Sequence, residues 1–341
     1  MPRALDYRHL LRLSDDVGLF EHACGPVPRR EHGYCLDDVA RGLVVIGREP
    51  HPDADLTRLR DTLLAFVAHA NDGGRFRNRL GYDRRWQDTP ALGDWWGRAL
   101  WGLGATVAHA DRRWTRAAAA ALFEQAAAHR SPSPRAMVFA GLGAAEVLAA
   151  DPDDRVARDL LRSAAAAVGP IPADAAWPWP EPRLRYANAA VAEVLVAAGS
   201  LLDDPAALAD GLRVLGWLVD LQTRDGRLSV VPAAGWARGE RPPGFDQQPI
   251  EVAAIAAACA RAHDVTGADR WAATVRLARD WFLGVNDAGV PLADAETGGS
   301  GDGLRADGVS TNQGAESTLA LLSTLQHARD GAGVLRGAGA A

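Results

Sequence analysis

The stretch SPRAMVFAGLGAAEVLAA, residues 133–150, is apolar on almost every side once its first turn is past, and RYANAAVAEVLVAAGSLL, residues 185–202, repeats the pattern. A helix without a polar face is a buried helix. Four more of this kind begin near Asp38 (DDVARGLVVIG), Asp94 (DWWGRALWGLGATVAHA), Gln248 (QPIEVAAIAAACARAHDV) and Gln313 (QGAESTLALLSTLQHA). Between them lie amphipathic segments bearing Arg and Asp, near Leu56–His69, Arg112–Ala128, Arg155–Val168, Ala206–Leu221 and Arg270–Leu283; a first one, Asp6–Ser14, precedes them all. Six buried and six half-exposed helices in alternation are what two concentric rings produce. The starts of the buried set are 56, 39, 52, 63 and 65 residues apart, enough for a helical hairpin plus a loop of variable length. The pattern predicts an all-α fold, an (α/α)6 toroid of six helical hairpins with short strand-like loops at its mouth. It is expected to form a single domain over residues 1–341, the last ~10 of them a flexible tail.

Composition narrows the function. The chain has 341 residues, 37 basic and 43 acidic side chains and a formal charge of −6. Mild acidity without a basic block excludes a nucleic-acid binder. Every basic residue is Arg; the absence of Lys removes Schiff-base chemistry, a pyridoxal anchor and a Walker-A lysine. Cys24, Cys35 and Cys259 form no CxxC, and the nine His form no HExxH or HxxxH, so neither metal nor cofactor is expected. The longest uncharged apolar stretches, Ala136–Ala145 and Val252–Ala260, are half of the ~20 residues that a membrane span requires. With no apolar signal core at the N-terminus, the expected location is the cytoplasm, away from any membrane.

The few polar residues of the buried helices gather at or just before their N-termini. If these helices run the same way, their N-termini share one mouth, where free N–H groups and helix dipoles suit hydroxyls and developing negative charge. In Gly244-Phe-Asp-Gln-Gln-Pro-Ile-Glu251, Pro249 suits a first turn and Gln247 and Glu251 share a face. Two acids and two amides, Asp246, Gln247, Gln248 and Glu251, exceed what capping needs and suit vicinal hydroxyls. Asn312-Gln-Gly-Ala-Glu-Ser-Thr318 repeats the logic with Asn312, Gln313 and Glu316, and Glu316 precedes an uncharged run that would bury it and raise its pKa. In Glu31-His-Gly-Tyr-Cys-Leu-Asp-Asp-Val-Ala-Arg41, one of Asp37 and Asp38 pairs with Arg41 and the other is free; Asp38 is expected to face the pocket.

Catalysis is therefore assigned to Asp38, Asp246, Glu251 and Glu316. Substrate contacts are expected from His32, Tyr34, Asp37, Arg41, Arg84, Asp94, Asn188, Gln247, Gln248, Asn312 and Gln313. The aromatic content is skewed to eleven Trp, the ring best suited to sugar C–H faces. Trp86, Trp95, Trp96, Trp177, Trp179, Tyr186, Trp236 and Phe245 flank the same openings, whereas Trp101, Trp114, Trp217, Trp271 and Trp281 sit mid-helix and read as core. A terpene-cyclase reading fails, because Asp37-Asp-Val-Ala-Arg41 lacks the third acid of DDxxD. Gly298-Gly-Ser-Gly-Asp-Gly303 has no following Lys and reads as a loop. Asp294, Glu296 and Asp302 do not match an EF-hand.

Taken in order, Ser14–His22, His32–Arg41, Tyr82–Trp86, Gly97–Trp101, Ser133–Ala136, Trp177–Trp179, Phe245–Glu251 and Asn312–Thr318 resemble a bacterial family found beside, or fused to, group-1 glycosyltransferases. The resemblance implies a glycoside-hydrolase-like toroid, carbohydrate chemistry and a glycosyltransferase partner. It departs at Gly93-Asp-Trp-Trp96, where the family has Glu-Asp-Ser-His, and at Tyr186-Ala-Asn-Ala189, where it has Tyr-Asp-Asn-Ala. The sequence thus predicts an inverting glycoside hydrolase acting on an oligosaccharide or glycoside. It leaves open an epimerase, isomerase or phosphorylase on the same fold, the last using Arg41, Arg84 and Arg85, and a non-catalytic glycan-binding partner of a glycosyltransferase.

Overall fold

The computed structural model describes residues 5–240 and 244–337. The inner helices are α2 (Leu36–Gly47), α4 (Asp94–His109), α6 (Pro134–Ala150), α8 (Asn188–Leu201), α10 (Pro249–Thr266) and α12 (Ala315–Gly337). The outer ones are α1 (Arg8–Arg12), α3 (Ala54–Ala70), α5 (Arg113–Ala127), α7 (Arg155–Val168), α9 (Pro205–Leu221) and α11 (Asp269–Phe282). Each inner helix packs on the next and α12 packs back on α2, which closes the ring. From α3 to α11 each outer helix lies on the inner helix before it, and α1 rests against α12 and α3. The expected (α/α)6 toroid is the observed fold, and every inner start falls within three residues of the expected position. Helix α12 is continuous to Gly337; the remainder of the stretch read as a tail, residues 338–341, lies outside the described residues.

Local chemistry sets the helix starts. Asp53, Ser133, Asp154 and Asp204 accept first-turn N–H groups of α3, α6, α7 and α9, and proline opens α6, α9 and α10. In α6, residues 135–148 are buried without a break, so apolar residues all round follow from neighbours all round. Helices α4 and α6 approach backbone to backbone: a Cβ on Gly97 would sit 2.1 Å from the Ala136 carbonyl oxygen, and one on Gly104 2.2 Å from that of Gly143.

The two faces of the ring differ. The antiparallel two-residue strand pairs all lie on connections running from an outer helix to the next inner one, as with Tyr34–Cys35 on Arg79–Leu80 and Arg183–Leu184 on Trp236–Ala237. Inner-to-outer connections are short turns, so the elaborated loops surround the N-termini of the inner helices. None of the described helices is long and apolar enough to cross a membrane.

Candidate active site

The first turns of the inner helices meet, and their charges join in a belt. On α2, Arg41 donates to Asp38 at 2.6 Å and pairs through its other terminal nitrogen with Glu316 of α12 at 2.7 Å. Asp37, one residue before Asp38, faces α4 instead, where its carboxylate lies 3.1 Å from Nε of Arg98. Burial pushes Asp38 up to about 7 against the pull of Arg41. Burial also brings Arg98 down to about 10, helped by the repulsion of Arg41. Glu316 keeps 41% of its side chain exposed, while Asp38 keeps 4%.

The belt continues around the mouth. Asp94, at the start of α4, accepts from the Tyr186 hydroxyl and from Ser133 Oγ at 3.4 Å, which links α4, α6 and the loop before α8. Burial raises its pKa. Arg135 of α6 pairs with Glu181 at 3.0 Å and lies over the Tyr186 ring. Glu251 of α10 accepts from the backbone N–H and the side-chain amide of Asn188 at 3.2 and 3.0 Å, and burial pushes it up to about 7 despite those bonds. Ala187, just before Asn188, sits at φ +46°, a left-handed conformation that Asp or Asn tolerates better than Ala.

Below the belt a cavity of about 60 Å³ runs along the ring axis. Arg41, Arg98 and Glu316 stand at its head; Val44, Trp101, Phe139, Leu142 and Leu319 form apolar walls. Trp101 read as core from its mid-helix position. The ring axis is the reason it does not end there: α4 turns it inward, stacked on Phe139 at 6.1 Å, and it lines the cavity.

Other expected site residues lie elsewhere. Gln247 is fully buried and its bonds go to Gly244, Asp287 and Trp281. Gln313 is held by Thr297 and Asp294, and Asn312 clasps Ala23, His22 and Asp302. These amides tie mouth loops together. Asp246 is exposed, and Gln248 caps α10 without a side-chain bond. Tyr34 is buried, stacked on Phe20 with its hydroxyl on Asp15. Trp177 and Trp179 pack on Trp217, and Trp236 on Trp177; Trp95 donates to the Phe76 carbonyl, Trp96 is wholly buried and Phe245 packs against the core. Trp86 packs on Phe66 and His69, and Arg84 pairs with Asp16 at 2.8 Å on the outer surface. His32 lies on the rim in edge contact with His22, ring centres 4.8 Å apart.

A second polar centre occupies the opposite end of the ring and was not anticipated. A cavity of about 480 Å³ there is lined by Arg48, His109, Glu146, Glu193, Arg261 and His327 among others. Glu146 binds Arg48 at 2.7 Å and His109 at 3.2 Å, and Glu193 binds Arg261 at 3.1 Å. Its signal was present in the sequence as lone acids inside apolar runs, AAEVL and VAEVL.

No protein-family model matches the sequence, and no curated protein matches it. Solved structures do share the fold. A sugar epimerase from a ruminal bacterium superposes with a TM-score of 0.72 over 96% of this chain and 95% of that one, at 12% identity. Cellobiose 2-epimerase from Spirochaeta thermophila gives 0.68 over 95% and 93%, at 13% identity. A GH76 α-mannanase of Bacteroides thetaiotaomicron gives 0.65 over 96% and 95%, at 9% identity. The chain is an (α/α)6 toroid similar to these.

Proposed function

We propose that this toroid works as a single domain on a carbohydrate, as a glycoside hydrolase of the inverting type acting at the belt. The observation that carries the reading is Glu316: an open carboxylate in a largely buried charge network, at the head of a cavity walled by Trp101 and Phe139. The fold neighbours are, by name, two epimerases and a mannanase, which supports a sugar substrate. Glu316 is the base that activates water, oriented by Arg41. Asp94, its pKa raised by burial and its carboxylate fixed by Tyr186 and Ser133, supplies the proton to the leaving oxygen. Helix α2 stands between the helices carrying these two acids, which suits the ~6.5–9.5 Å separation of inverting enzymes better than the ~5–5.5 Å of retaining ones. The family resemblance adds a glycosyltransferase as partner.

The test is release of reducing sugar from a panel of oligosaccharides by wild type, Glu316→Gln and Asp94→Asn. Each substitution should lower turnover by about 10²-fold or more. A near-wild-type rate for Glu316→Gln removes this mechanism.

An epimerase or isomerase is favoured by one observation, the contacting imidazoles of His22 and His32 on the rim. Solvent deuterium entering a free monosaccharide, lost in His32→Ala, would establish that reading instead.

A further inference from the structure

Arg98 is 3% exposed, and its ion-pair partner among the described residues is Asp37. Its surroundings account for two of its sides. One face lies on the Phe139 ring, 3.8 Å from the centroid, and the Nε edge is turned to Asp37 at 3.1 Å. What remains is the fork of two terminal nitrogens, and Arg98 lines the axial cavity. Arg41 lines the same cavity; Asp38 and Glu316 hold its terminal nitrogens, and its Nε has no hydrogen-bond partner. Burial above all, and then the repulsion between two guanidiniums sharing one space, depresses the pKa of Arg98. A planar fork of this kind matches the two oxygens of a carboxylate or phosphate.

We propose that Arg98, with Arg41 beside it, forms an oxyanion subsite beneath Glu316, so that the enzyme takes a ligand bearing a carboxylate or phosphate. The volume of about 60 Å³ is several times the ~10–15 Å³ that one water needs, so it admits such a group. The oxyanion is carried either on the sugar, as in a uronic acid or sugar phosphate, or free, as inorganic phosphate. The apolar walls of Phe139, Leu142 and Leu319 strengthen the charge-assisted bonds by excluding water. Only the claim that this group belongs to a substrate rests on the hydrolase reading; the binding does not need Glu316 as a base.

Titration calorimetry with glucuronate, glucose 6-phosphate, inorganic phosphate and glucose tests the subsite. At least one oxyanion probe should bind wild type tenfold or more tightly than glucose. Arg98→Met should abolish that preference, and Arg98→Lys should keep part of it, since a point charge attracts the anion without the fork. Preference for the two sugar-borne probes places the oxyanion on the sugar; equal binding of inorganic phosphate identifies the free anion. Glu316→Gln should retain the preference even where turnover is lost, so failure of the catalytic reading leaves this one standing. Equal affinity of wild type for glucose and all three anions overturns the proposal, whatever the folding of the variants. So does a preference that survives in folded Arg98→Met.

Discussion

Arg41 and Glu316 meet at 2.7 Å across the seam where the first and last inner helices close the ring. The same guanidinium reaches down to Asp38 at 2.6 Å, so one side chain joins an open carboxylate to a buried one. The two acids differ in what they need from it. Glu316 can turn to water, whereas Asp38 can escape an unpaired charge only by taking a proton.

That difference predicts how Arg41→Met behaves. With Asp38 at about 7 in the folded chain, at pH 6 it is largely protonated and loses little when its partner goes. At pH 8 the variant must bury a charge or hold a proton one unit above the folded value, so the loss should exceed that at pH 6 by about 1.4 kcal/mol. Urea denaturation at both values measures it, and an equal loss at pH 6 and pH 8 contradicts the assignment.

Glu251 gives a second pH signature. Its pKa is 4.5 in the ordinary case and about 7 when folded, because burial outweighs the two bonds from Asn188. A group raised on folding contributes stability that is fully present below its unfolded pKa and lost as pH rises through the folded value. The span involved is of order 3 kcal/mol. Glu251→Gln keeps an acceptor for Asn188 but cannot titrate, so its stability should fall less than that of wild type between pH 4.5 and 7.5. Parallel pH–stability curves would show that Glu251 titrates normally.

At the opposite end the sign reverses. Burial would raise the pKa of Glu146, but Arg48, His109 and Arg261 together hold it well below the usual range. Its contribution is therefore present above the unfolded pKa and lost as pH falls. Arg48→Met leaves this carboxylate with His109 and Arg261 alone and should cost about 3 kcal/mol at neutral pH, the low end for a broken buried pair. Arg48→Met with Glu146→Leu removes both charges and should cost less than Arg48→Met alone; chemical denaturation of the double-mutant cycle reads the difference. A double variant that is the less stable of the two rules out Glu146 as a stranded charge.

Which of these residues the sequence announced follows from physics. Helices buried on all sides need no periodicity, so residues 133–150 and 185–202 betrayed their place by composition alone. Asp37, Asp38, Asp94, Glu251 and Glu316 stood out as polar groups at the starts of such helices, and the belt is built from them. Arg98 and Trp101 were harder. They lie one and two turns into α4, and only the rotation of that helix decides whether they meet the axis or a neighbour. Gln247 and Gln313 looked like ligands for hydroxyls because their partners, Asp287 and Trp281 or Thr297 and Asp294, come from loops that no local pattern ties to them.

Two helical glycines give the last prediction, in which one substitution takes opposite signs at an outer and an inner position. Alanine for glycine within a helix ordinarily stabilises by up to about 1 kcal/mol. At Gly216 in α9 the nearest atom to a new Cβ is the tip of the Arg270 side chain at 3.3 Å, which can move aside. Gly216→Ala should stabilise by about 0.5–1 kcal/mol. At Gly104 in α4 the new Cβ meets the Gly143 carbonyl oxygen at 2.2 Å and its carbon at 2.8 Å, and backbone cannot swing away. Helices α4 and α6 would have to separate, breaking the close approach that helps shut the ring, at about 1–3 kcal/mol beyond the propensity gain. Thermal unfolding of the two variants against wild type should move in opposite directions. A higher melting temperature for Gly104→Ala would mean that these helices do not touch backbone to backbone.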